Sequence, residues 1–171
     1  MHNTGRVRVA SAGLGFSLAE TLVVLALLAV LLSLAVPGVA ALRLRHELQA
    51  VAEEAWGSLM LARSQALVHQ QRVVLCPAAP SGICNAQGQW HPGWLVFVDS
   101  NHNGQHDAQE RILQSRGALP PGVRLHGNST VDQGVGYGAD GRSEALNGGF
   151  QSGTLLVCRT GTSEGWKIVI N

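Results

Sequence analysis

Lysine is nearly missing from these 171 residues: it occurs once, as Lys167. Almost all of the positive charge is therefore arginine. Charged residues of both signs make up only 13% of the chain, and the formal net charge is +1. So even a balance gives no broad electrostatic case for nucleic acid or for an acidic surface as partner. Aromatic residues are scarce at 5%. No nucleophile elbow, phosphate-binding loop or His-Glu-x-x-His stretch occurs, so the common signatures of hydrolases, nucleotide-binding proteins and zinc peptidases are missing. An enzyme is not expected, and no cofactor is required. Nor is there an internal repeat, or a linker long enough to separate a pair of soluble domains.

What is present is glycine, with 21 residues that suggest many tight turns, and one long apolar run near the N-terminus. The length leaves room for one domain plus an anchor. The first fifteen residues, MHNTGRVRVASAGLG, carry Arg6 and Arg8 and no acid. Leu22–Leu32 is continuously apolar, and residues 16–42 are interrupted only by Ser17, Glu20, Thr21 and Ser33. A helix of about 20 such residues spans a bilayer core of about 30 Å. The arginines would hold the leader in the cytoplasm. A buried core helix is the alternative, but so small a domain would struggle to cover so apolar a segment.

The small residue that would suit cleavage, Gly15, precedes the apolar core, and no A-x-A-like site follows it near Val36-Pro37. That order differs from a secretory signal, whose cleavage site follows its apolar region. Cleavage at Gly15 would remove the basic leader and keep the helix. Glu20 would then be the fifth residue of the new chain. A carboxylate inside a membrane costs a few kcal/mol unless it is paired or reaches the interface. The new α-amino group of a neighbouring subunit is a natural counter-charge for it.

The stretch G-F-S-L-A-E-T-L-V-V-L (15–25) resembles the class III signal of type IV pilins and type II secretion pseudopilins. The resemblance implies that prepilin peptidase cuts after Gly15 and N-methylates Phe16, and that Glu20 is the assembly acid. Ala19 stands where that family usually has Ile or Val. The family's helix-breaking proline corresponds to Pro37. Pro37-Gly38 is expected to kink or locally melt the helix, since proline lacks a donor and glycine is a poor helix former.

Apolar residues then recur at Leu44, Leu48, Val51, Ala55, Leu59, Ala62 and Ala66, the stepping of one helical face. Arg43, Arg45, Glu47, Glu53 and Glu54 lie mostly off it. This amphipathic half should pack on a soluble domain and end near Gln70-Gln71. Beyond it come short strand-like runs: 72–77, 94–99, 111–114, 123–126, 135–138, 154–159 and 166–170. The expected fold is α+β, one long N-terminal helix lying on antiparallel β-sheet. The expected divisions are a leader at 1–15, a membrane and assembly half of the helix at 16–42, and an amphipathic half with a periplasmic β-domain at 43–171.

Downstream, A-R-S-Q-A (62–66), V-L-C-P (74–77), G-W-L-V-F-V-D-S-N-H-N-G (93–104) and T-L-L-V-C-R (154–159) resemble the GspH/FimT-type minor pilins. This implies a single-pass inner-membrane protein with a periplasmic C-terminal domain, later assembled with other pilins or pseudopilins. A type IV pilus minor pilin is the first reading, and a type II secretion pseudopilin the second. A third is a calcium- or DNA-binding module displayed on either filament.

Cys76 and Cys84 enclose the turn-rich P-A-A-P-S-G-I and are expected to bridge in an oxidising compartment. Cys158, within an apolar strand, reads as a buried free thiol. Asp99, Asn101, Asn103, Gly104, Asp107 and Glu110 match positions 1, 3, 5, 6, 9 and 12 of an EF-hand loop, with the Gln105 carbonyl at position 7. These oxygens suit calcium. Strand-like flanks and two asparagines favour instead an Asn/Gly-rich hairpin loop held by local hydrogen bonds. His102 and His106 are spaced for zinc on a helix, but they straddle Asn103-Gly104.

Some FimT-type pilins are implicated in DNA uptake through basic residues near the C-terminus. Here the chain ends E-G-W-K-I-V-I-N, without an arginine-rich tail. Arg142, Arg159 and Lys167 are the candidates for a small patch, with Trp166 to stack on a base. The alternative is solvated strand-edge charges and a packed tryptophan. Loss of Arg6 and Arg8 on cleavage would take the basic count from 12 to 10 against 11 acids, a poor start for phosphate binding.

Overall fold

The computed structural model describes residues 17–85, 87–161 and 165–171; the side chains of 34–38, 40, 41 and 44 are outside that set. The leader, the cleavage point after Gly15 and Phe16 lie outside the described residues. Among the described residues, one helix, α1 (Leu18–His69), precedes eight strands. They are β1 (Val73–Pro77), β2 (Trp94–Val98), β3 (Ile112–Arg116), β4 (Val123–Gly127), β5 (Val135–Tyr137), β6 (Ser143–Glu144), β7 (Gly153–Arg159) and β8 (Gly165–Ile170). The chain divides into two compact units, Met1–Leu42 and Arg43–Asn171.

In the second unit, the predicted helical stripe is the buried face. Val51, Ala55, Leu59, Ala62 and Ala66 are each buried, and Leu48 is half-buried against the same core. Small residues at Ala55, Ala62 and Ala66 let the helix lie close to the sheets. Truncating Leu59, which is fully buried, would cost about 2–5 kcal/mol. Two side chains fasten the helix to the strands. The Trp94 indole N–H donates to Ser58 Oγ at 2.9 Å, and Arg116 pairs with Glu54 at 3.0 Å while its guanidinium sits 5.1 Å from the Trp94 ring centre.

The strands form two antiparallel sheets, ordered β3-β2-β1-β5-β6 and β4-β7-β8. The split into two sheets, and the two-residue β6, were not foreseen from the sequence. β1 and β2 are buried along their whole length, which explains why both read as continuous apolar runs rather than alternating ones. Val73, Leu75, Trp94, Val96 and Val98 join the main core with α1. Val74, Cys76, Leu95 and Phe97 point the other way into a second cluster with Ala78 and Cys84. That second face is covered by loops rather than by a helix. The Cys76–Cys84 disulfide pins one of them across it.

Candidate functional site

In the first unit, α1 begins with a cap. Ser17 Oγ accepts the Glu20 N–H at 3.2 Å, and the Ser17 carbonyl accepts it at 3.1 Å. Ser17 is thus an N-cap and Glu20 the N3 residue, the Ser-x-x-Glu spacing of a capping box. Reading Glu20 for its charge alone misses Ser17; the spacing was the available signal. A carboxylate in the first turn also suits the positive end of the helix dipole. Behind it, Leu18, Leu22, Val23, Leu25, Leu27, Val30, Leu31 and Leu32 are all exposed. The apolar run is therefore uncovered around the helix, unlike the one-sided stripe of residues 48–66.

Among the described residues, no helix is long and apolar enough to cross a membrane. The stretch with described side chains, Leu18–Ser33, rises about 24 Å, short of the roughly 30 Å of a bilayer core. The helix runs on through Pro37 and Gly38, whose side chains are outside the described set.

In the Asp99–Glu110 loop, most of the candidate oxygen donors already have partners within the loop. Asp99 is fully buried and accepts the backbone N–H groups of Asn103 (3.1 Å) and Gly104 (3.0 Å). Asn101 and Asn103 both donate their amides to Asp107 Oδ2, at 2.7 and 2.8 Å. Glu110 accepts the N–H groups of Ser100 (2.8 Å) and Asp107 (3.1 Å). Gly104 has φ +72, and an added Cβ would come within 2.9 Å of Leu146, so glycine is required for both conformation and space. His106 packs edge-on to Phe97, and its Nε2 lies 3.3 Å from the Glu110 carbonyl. Among the described residues, no group of three or more His, Cys, Asp or Glu side chains is arranged to hold a metal ion.

Arg72 supplies a cation from inside the protein. It is only 2% exposed, pairs with Asp99 (3.4 Å) and Glu144 (3.7 Å), and donates to the carbonyls of Ala145 (2.8 Å) and His102 (3.2 Å). One guanidinium thus ties the start of β1 to the 99–110 loop and to the β6 turn. In the sequence it was indistinguishable from a charge at a strand entrance.

The three basic candidates do not form one patch. Arg142 lies in the five-stranded sheet's β5–β6 turn, exposed and 3.5 Å from Asp140. Arg159 and Lys167 belong to the other sheet, but their strand registers place them on opposite faces. Arg159 is opposite Val123 of the core, whereas Lys167 alternates with the buried Ile168. Trp166 is half-exposed rather than packed.

Cys158 is a buried free thiol, with Sγ 3.2 Å from His126 Nε2. Burial pushes its pKa up, against the opposing pull of Arg124.

No curated protein matches the chain. Among solved structures, type IV minor pilin FimU of Pseudomonas aeruginosa aligns in one crystal form at 19% identity, covering 74% of this chain and 90% of that one, with a TM-score of 0.53. A second crystal form of the same protein aligns at 17% identity, covering 72% and 93%, with a TM-score of 0.45. At such identity the first likeness shows a shared fold. The family described as Type II transport protein GspH matches residues 51–171, which include the packed half of α1 and all eight strands. The chain belongs to the GspH family.

Proposed function

We propose that this chain is a minor pilin, inserted in the inner membrane, cleaved by prepilin peptidase after Gly15 and assembled through its N-terminal helix into a type IV pilus. The carrying observation is the first half of α1, where large apolar residues are exposed on every side behind Glu20. Exposed apolar surface of that extent needs a cover. Lipid supplies it before assembly, and neighbouring helices supply it afterwards. Glu20 then pairs with the methylated terminal amine of the adjacent Phe16, and Pro37-Gly38 lets the helix bend in the filament. The β-domain faces the periplasm and then the filament surface. The role is structural, and no residue is assigned to catalysis.

A second reading, a type II secretion pseudopilin, is favoured by the description of the matched family. It uses the same parts to drive protein export. DNA uptake through a basic surface draws less support, because Arg142, Arg159 and Lys167 lie apart.

A clean deletion strain separates these readings. Surface pili and DNA uptake are scored alongside secretion of a type II exoprotein. Loss of pili with export intact is expected. Lost export with normal pili would make the protein a pseudopilin, and loss of uptake alone would point to DNA binding.

A further inference from the structure

We propose that Ser17 is a positioning residue for assembly: by capping α1 it takes up the backbone amide of Glu20 and leaves the Glu20 carboxylate for a neighbouring subunit's amine. This deepens the filament reading given above and rests on it.

Residues 17–33 hold four polar side chains, Ser17, Glu20, Thr21 and Ser33, in an otherwise apolar run. Three of them are hydroxyls, and each is bonded to the backbone of the same segment. Ser17 Oγ accepts the Glu20 N–H at 3.2 Å, Thr21 Oγ1 donates to the Leu18 carbonyl at 2.8 Å, and Ser33 Oγ donates to the Val30 carbonyl at 2.7 Å. The Glu20 carboxylate differs. It is exposed and has no partner among the described residues.

A helix start leaves its first four N–H groups without partners inside the helix. In lipid such groups find no water and must be satisfied by the protein. A carboxylate in the first turn is the acceptor closest to hand. Drawn back onto those amides, Glu20 would be spent inside its own subunit. Ser17 takes that place. Its Oγ holds the Glu20 amide, and its carbonyl accepts the N–H groups of Glu20 (3.1 Å) and Thr21 (3.2 Å). The Ser-x-x-Glu spacing also permits a reciprocal bond from the Glu20 carboxylate to the Ser17 N–H. Among the described residues that half of the box is not formed. The apolar helix thus satisfies its hydroxyls internally and keeps one polar group, the acid, for a partner outside the chain.

A cap acts through an acceptor at the right place, so several residue types can supply it. Asparagine equals serine as an N-cap, threonine and glycine follow closely, and alanine is far worse. That order at position 17 is the signature to test. The full chain would be measured, as mature protein, in sheared filaments and in inner membranes of cells that build the filament. Ser17→Asn should enter filaments at the unaltered level, and Ser17→Thr and Ser17→Gly slightly below it. Ser17→Ala should enter about fivefold less, the factor that loss of a typical cap represents. Mature protein in membranes should be equal for all four. Equal incorporation of Ser17→Ala would overturn the proposal. So would exclusion of Ser17→Asn with Ser17→Ala, which would mean that a partner reads the hydroxyl itself. Accumulation of Ser17→Ala as uncleaved precursor would also overturn it, by placing Ser17 in processing. In each of these cases exclusion of Glu20→Ala leaves the filament reading standing. Normal incorporation of Glu20→Ala, or absence of the unaltered chain from filaments, would instead overturn that reading, and this inference with it.

Discussion

Arg72 Nη1 lies 3.4 Å from Asp99 Oδ2, with both side chains almost wholly buried. The pair is also locked by the backbone, because the Asp99 N–H donates to the Arg72 carbonyl at 2.9 Å. Removing one partner leaves the other charge buried and unpaired, which typically costs about 3–5 kcal/mol. Arg72→Met should therefore lower unfolding free energy by about that amount in a urea titration. Asp99→Asn should cost less, since Glu144 remains beside the guanidinium. Equal stability of Arg72→Met and the unaltered protein would show that the network carries no net stabilisation.

The Cys76–Cys84 bridge closes a short loop over the second apolar cluster. A closure of this length is worth about 2–3 kcal/mol in the chain-entropy model. Reduction, or Cys84→Ser, should shift the urea midpoint down accordingly and leave the five-stranded sheet in place. Unfolding of the whole domain on reduction would mean that the bridge does more than hold a loop.

The same internal bonds that fill the Asp99–Glu110 loop bear on calcium. A cation would have to displace amide donors from Asp107 and backbone N–H groups from Asp99 and Glu110. Added calcium should thus leave the melting temperature unchanged. A ligand at 100 times its dissociation constant stabilises by about 2.7 kcal/mol. A rise of several degrees at millimolar calcium would therefore show that the ion wins the competition.

Burial raises the pKa of Cys158. A thiol that resists ionisation in the folded state contributes stability fully below its unfolded pKa, and loses it as pH rises through the folded one. Stability should fall as the pH passes about 9, and Cys158→Ala should fall less steeply over the same window. Burial raises Tyr137 in the same direction, so the difference between the two proteins, not the slope itself, is the readout. Parallel profiles would remove Cys158 from the account.

The sequence showed some of this architecture better than the rest, for physical reasons. The helical stripe and seven strand positions were legible because burial leaves a period, and the disulfide because a turn-rich loop separates its cysteines. The partition into two sheets was not, since β1 pairs with β5 some sixty residues away. Pairing over that distance depends on packing rather than on local pattern. The partners of Arg72 were hidden for the same reason, as they are assembled from distant segments. The arrangement of the basic candidates was equally hidden. Charges that looked clusterable fall on separate sheets and opposite faces once register is known.

The most direct test of the central claim is the location of Glu20→Ala. Sheared filaments and inner membranes from cells expressing either form would be probed for this chain. The account predicts the unaltered protein in both fractions and the variant in membranes alone. Glu20→Ala recovered in filaments at the unaltered level would contradict the pairing of Glu20 with a neighbouring terminal amine.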